Sequence, residues 1–438
     1  MHNRLRFVLA LLFVFCLLGF VACRVENTPA PPPPTVPVDT PTVDPRLGPH
    51  TTDVIVDTPT VDPKLGPHTT DAVGEKKYVV ILADFPDVER QYSEDAIAER
   101  SLGFVSKYFN EASYYNLRLA GTITKRYMLP NPVGYYKIKP ANLEVDPEKV
   151  LSLVNDVINA ADADVQFSED LYVVIALGAT HTEYGMIGYS AVPGMLGFET
   201  DTPIITKSGE TVSNAVVFCE NAHLGTYVHD ILHMLGGVVD GRRMAPCLYD
   251  HDLQAKNFSS DDWKNVLINM GYWDPLSSHF PYDRKLPPAG LSSWTKLRLG
   301  WIDPAKIALV HPGEMTTIKL DPLVNDDAAT LVIKIPISDH TYYLIENRQP
   351  IGSDANLPSS GILILYADDS IPECRHGNAP VKIMDANPSV PYLNDAAFDI
   401  GGKDTYIDTK NNLAIVLLQK DGSSYIIQIT TPDQVNLK

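Results

Sequence analysis

The chain has 438 residues, 45% of them apolar and 20% charged, enough for one large or two to three ordinary domains. That composition excludes a disordered chain and a small disulfide-stapled scaffold. With 54 acidic against 35 basic residues the formal net charge is -19, which argues against nucleic acid as a partner, because neutralising phosphates needs a basic face.

Arg4 and Arg6 precede an uncharged apolar run from Phe7 to Ala22, the n-region and h-region of an export signal. The run is short for a spanning helix. Phe20-Val21-Ala22-Cys23 resembles a bacterial lipoprotein processing box, with Phe where Leu is usual. The resemblance implies that residues 1–23 are a signal peptide and that Cys23 is the lipidated first residue; an uncleaved membrane anchor is the competing reading. Either places the remainder outside the cytoplasm, at a bacterial cell surface, lipid-anchored or secreted. Beyond Cys23 only Cys219, Cys247 and Cys374 remain, which allows at most one internal disulfide.

Residues 24–74 contain twelve prolines and no Phe, Trp or Tyr, and Val38 to Asp53 recurs as Val56 to Asp71 with only Arg46 replaced by Lys64. Such a segment buries too little apolar surface to offset its ordering entropy, so it is expected to be a disordered spacer. His50 and His68 lie in the two copies, but duplication of linker accounts for them better than a metal motif.

The globular part is expected from residue 75. Tyr78 to Ala83 reads as a buried strand, Ser93 to Phe109 as a helix, Leu117 to Thr124 as a strand, Pro147 to Ala161 as a helix and Leu171 to Leu177 as a second apolar strand. This mixture predicts an α/β or α+β domain.

The most informative segment is His229-Asp230-Ile231-Leu232-His233-Met234-Leu235-Gly236. At about 100° per residue, His229 and His233 fall roughly 40° apart on one helix face, while Val228, Ile231, Leu232 and Leu235 gather opposite. Two neutral imidazoles so spaced are a ready pair of zinc ligands, and a carboxylate just after the first can serve as general base. Here that carboxylate is Asp230.

These residues and their flanks resemble the secreted bacterial metalloproteases of the immune inhibitor A type, whose zinc helix reads HExxHxxGxxD and runs into a Leu-Tyr-Asp turn. His229, His233 and Gly236 are in register, and Leu248-Tyr249-Asp250 matches the turn. Met270-Gly271-Tyr272-Trp273, Pro288 to Trp301, Tyr343 to Gln349, Leu357 to Ile364, Val80 to Asp87 and Tyr114-Tyr115-Asn116 are similar to further family segments. The resemblance implies a zincin-like metalloprotease domain over residues 75–302. It departs from the family pattern inside the active site. Asp230 replaces the Glu base and is one methylene shorter. Val239 stands where the family's third ligand, an Asp, would fall, so Asp240 is the preferred third metal ligand, with Cys247 and Asp250 as alternatives.

Met270 is expected in a turn under the metal site, and Tyr272 is a candidate for steadying the oxyanion. His223 reads as a helix-start residue, and nothing in their spacing marks His181 or His251. Asp321, Asp326, Asp327, Asp395 and Asp399 are candidate calcium donors in loops, although none has EF-hand spacing. Short strand patterns at 316–320, 330–335, 342–346, 362–366, 414–419 and 425–429, with a hairpin signal at Asp421-Gly422, predict an all-β, sandwich-like domain over residues 303–438. The expected function is zinc-dependent hydrolysis of peptide bonds in extracellular proteins; the rival is a pseudoprotease retained as a surface module that binds polypeptide or glycan.

Overall fold

The structure, a computed structural model, describes residues 63–138, 146–192, 203–256 and 265–435. The signal segment, Cys23 and the spacer through residue 62, His50 included, lie outside the described residues. Among those described, no helix is long and apolar enough to cross a membrane.

The first apolar run forms β1 (Gly74–Asp84). Tyr78, Val80 and Leu82 enter one core and Val79, Ile81 and Ala83 another, as expected of a strand covered on both faces. β2 (Leu117–Met128) and β3 (Tyr172–Leu177) flank it in parallel. β4 (Gly188–Val192) lies at the sheet edge, β5 (Ile204–Ile205) and β6 (Thr211–Val212) form a separate ribbon, and β7 (Ala215–Cys219) pairs parallel to β3. The strand order is β2-β1-β3-β7-β4, with β4 antiparallel to β7.

Helices cover both faces. The predicted 93–109 helix is built from α1 (Glu94–Ala98), a π-helical stretch (Glu99–Phe104) and α2 (Val105–Ala112), with the Ser93 hydroxyl accepting from Ala96 N at 3.2 Å. After the one-turn α3 (Val133–Tyr136), α4 (Pro147–Ala161) has the predicted bounds, an Asp146 N-cap and proline at its start. Val150, Leu153, Val154, Val157 and Ile158 fill the core on its side. The other face receives α2 and, after the short α5 (His181–Tyr184), α6 (Leu224–Gly236), which carries Val228, Ile231, Leu232 and Leu235 inward. Three short elements follow: the hairpin β8 (Val238–Val239) and β9 (Arg242–Arg243), α7 (His251–Lys256) and α8 (Ser293–Arg298).

The C-terminal part is β-rich. One sheet runs β10 (Ile307–Leu309), β12 (Val332–Pro336), β13 (Thr341–Arg348), β14 (Gly361–Asp368) and β15 (Val381–Ile383); the other runs β11 (Thr316–Leu320), β18 (Ser424–Thr430), β17 (Leu413–Asp421) and β16 (Thr405–Asp408). The predicted hairpin closes with Asp421 opposite Ser424 and Gly422 at φ 63°. Tyr343 and Ile345 of β13 face the second sheet, whereas Tyr342 and Leu344 enter the core that holds α6. A hydrophobic core therefore crosses the boundary expected at 302/303, and the chain from Pro59 onward is one compact unit.

The start of the folded part also moves. Residues 63–73, assigned from composition to the spacer, lie against the body: Trp301 Nε1 donates to Ala72 O at 2.7 Å, Thr69 N to Arg298 O at 2.9 Å and Lys64 Nζ to Pro304 O at 3.0 Å. Alongside these hydrogen bonds, Leu65 packs against the core and Ala72 is buried in it. Removing residues 63–73 takes the acceptor from a buried indole, so a chain beginning at Gly74 is expected to unfold at lower temperature than one beginning at Pro59, as calorimetry would measure.

Lys296 on α8 is buried, donating to Ala112 O at 2.8 Å with its ammonium 3.9 Å from the centre of the Tyr114 ring. Burial lowers its pKa to about 7. The unfolded chain, with an ordinary lysine, then holds more protons than the folded one from about pH 7 to 10, so this group makes stability rise with pH across that window. Lys296→Met should flatten that slope in denaturant titrations at stepped pH.

Candidate metal centre

His223 caps α6, its Nδ1 accepting from Gly225 N at 2.9 Å. The helix packs its apolar side into the core beside β4 and β7 and turns His229 and His233 toward the segment 244–250 on one side and 273–279 on the other. His229 Nδ1–H donates to Pro275 O at 2.7 Å, and His233 Nδ1–H to Ala245 O at 2.6 Å. Both carbonyls place the ring proton on Nδ1, leaving two Nε2 lone pairs that face each other at 3.0 Å. Two acceptors at that distance repel unless a cation stands between them. Burial makes a proton a poor choice: it lowers the His229 pKa to about 4 and His233 well below the ordinary histidine value, the latter also through His229 and Arg243.

Cys247 completes the group, its Sγ lying 3.3 Å from His233 Nε2 and 3.6 Å from His229 Nε2. Metal–nitrogen bonds of about 2.05 Å and a metal–sulfur bond of about 2.3 Å at the tetrahedral angle separate two nitrogens by about 3.3 Å and nitrogen from sulfur by about 3.6 Å. His229, His233 and Cys247 thus stand close to the spacing of a tetrahedral site and could together hold a metal ion. Burial raises the Cys247 thiol, an effect a bound cation would reverse.

A second group, His229, Asp230 and His279, also converges within 4.8 Å. His279 stacks on His229 with ring centres 3.8 Å apart. The Asp230 carboxyl is buried, its Oδ2 has no hydrogen-bond partner, and burial raises its pKa well above the carboxylate range. A Cβ at Gly188 would come within 3.0 Å of Asp230 Oδ2, so Asp230 faces the edge strand β4.

The expected third ligand is corrected. Asp240 is exposed in the β8–β9 turn at φ 51° and belongs to neither converging group. Residues 238–243 fold into that hairpin, and the returning chain brings Cys247 to the two histidines. Asp250 is engaged elsewhere: it accepts from Asp252 N at 3.1 Å, Leu253 N at 3.0 Å and Gly377 N at 3.0 Å.

Tyr272 lies in the buried cluster of Cys247, Tyr249, Val266 and Leu267, and burial raises its phenol pKa. Met270 is buried in the core with α6, and its carbonyl accepts from Trp273 N in a turn. His181 pairs with Asn221 on the surface, and His251 is buried at the start of α7 with both ring nitrogens unpartnered. The calcium expectation finds no grouped donors among the described residues: Asp321 accepts from Ser424, Asp395 from Asn387 and Asp399 from Tyr425. Cys219, Cys247 and Cys374 are unpaired. His279 was not foreseen, because fifty residues of chain separate it from His229 and no spacing rule links them.

No protein-family model matches the chain, and no curated protein matches it.

Cys247→Ser should weaken binding of zinc or cobalt by more than about 100-fold, since even second-shell changes typically cost 10- to 100-fold, and Asp240→Ala should leave it unchanged. Competition against a chromophoric chelator measures both.

Proposed function

We propose that the chain is a zinc-dependent peptidase acting outside the cytoplasm, tethered to a membrane through its N-terminal segment. The observation that carries this reading is the convergence of the ligand atoms of His229, His233 and Cys247, with the carboxyl of Asp230 on the same helix. A mixed imidazole and thiolate set suits zinc. When bound there, zinc would supply Lewis acidity and lower the pKa of water in the fourth position.

The chain's own residues supply the rest. Asp230 would take the proton of the attacking water and return it to the leaving amine, and Tyr272 would steady the oxyanion. The resemblance of residues 229–236 and their flanks to immune inhibitor A type proteases supports the same direction.

A second reading has an observation of its own. Asp230 is short and buried, and burial raises its carboxyl pKa, which suits a centre that binds metal and polypeptide without hydrolysis.

The full chain incubated with an unbiased peptide mixture separates the two. A peptidase loses cleavage to chelator, and Asp230→Ala slows it about 10²- to 10⁴-fold. Activity gained only in Asp230→Glu would identify a binding module; zinc-loaded wild type and Asp230→Glu both inert would remove the peptidase reading.

A further inference from the structure

Cys247 sits in a stretch without regular structure between β9 and α7, so something other than its own element must hold it. A loop of the β-rich part, the connection between β14 and β15, grips this stretch at both ends. Upstream, Arg242 donates to Asp369 O and Arg243 Nε stands 4.0 Å from Glu373. Downstream, His251 N donates to Cys374 O at 3.1 Å.

The tightest contact is a turn. Arg375 and Asn378 exchange backbone hydrogen bonds of 3.0 and 2.8 Å, with His376 at φ 54° and Gly377 at φ 77° between them. Positive φ at both central residues is the geometry of a type I′ turn, which leaves their two N–H groups unused inside the turn. Those groups donate outward, His376 N to Asp252 Oδ2 at 2.6 Å and Gly377 N to Asp250 Oδ2 at 3.0 Å. Asp250 is 1% exposed, and its carboxylate accepts from Gly377 N as well as from Asp252 N and Leu253 N.

We propose that the 375–378 turn and Asp250 are positioning elements of the metal centre: the turn sets where the 242–252 stretch lies and so aims Cys247 at His229 and His233. The third ligand is carried by the α/β part and aimed by the β-rich part. This rests on the metal-binding reading of the triad, and extends it by making the β-rich part an obligatory component of the centre.

The test uses the full chain loaded with cobalt(II), whose thiolate charge-transfer absorption reports Cys247 and whose ligand-field bands report coordination as a whole. Asp250→Ala and Gly377→Val, each checked for fold by circular dichroism, should lower cobalt affinity about 10- to 100-fold and weaken the charge-transfer band. Asp250→Asn, which keeps an acceptor, should recover most of both, and His376→Gly, which keeps the N–H but loses the exposed imidazole's 2.8 Å contact with Asp252, should lie closer to wild type than Asp250→Ala. If Asp250→Ala does not fold, Asp252→Ala and Gly377→Val carry the same comparison. Folded variants with wild-type affinity and band overturn the proposal. Wild type that binds cobalt without the band, like Cys247→Ser, fails the triad itself and the proposal with it.

Discussion

The candidate metal centre depends on the backbone from Trp273 to Leu276. Pro275 O fixes the tautomer of His229, and Leu276 O accepts from Leu248 N, one residue past Cys247. The segment is held in turn by buried charge. Asp274 accepts from Ser292 N, Ser292 Oγ and Thr295 Oγ1 at 2.9, 2.7 and 2.7 Å. Arg348, fully buried on β13, donates to Trp273 O at 3.1 Å while engaging Glu346 at 2.9 Å and Asp354 at 2.7 and 2.8 Å. Such charges are tolerated in a core only when each donor and acceptor is answered, and a network so satisfied resists displacement.

That arrangement explains why the β-rich part is not an appendage. Its β13 supplies Arg348 on one side of the helix and its β14–β15 connection meets Asp250 and Asp252 on the other. α6 brings two ligands on a rigid element, whereas Cys247 comes from irregular chain that needs outside support. A centre assembled from both parts has little freedom to loosen by relative motion of its halves, since they share one hydrophobic core.

The site was partly legible in the chain. The spacing of His229 and His233 against an apolar face needed only helical geometry, and the structure places both where that geometry puts them. The choice among Asp240, Cys247 and Asp250 needed to know that residues 238–243 leave as a hairpin, because that excursion carries Asp240 to the surface and returns Cys247 to the ligands. His279 had no spacing to announce it. Asp250, a candidate ligand by its place in the Leu-Tyr-Asp turn, spends its oxygens on backbone N–H groups that only the fold brings to it.

What the amino-acid order determined alone is whatever depends on local periodicity: the bounds of α4, the runs of β1 and β3, the hairpin at Asp421-Gly422 and the two-histidine face of α6. What only the tertiary structure decided depends on contacts distant in sequence: the continuity of the core across 302/303, the seat of residues 63–73 on Arg298 and Trp301, and the approach of Cys247 to His229 and His233. The physical reason is common to all three. Each rests on partners far apart in the chain, whether apolar side chains of β13 against α6, backbone groups of residues 63–73 or a sulfur brought in by a loop, and local pattern does not say which distant groups will meet.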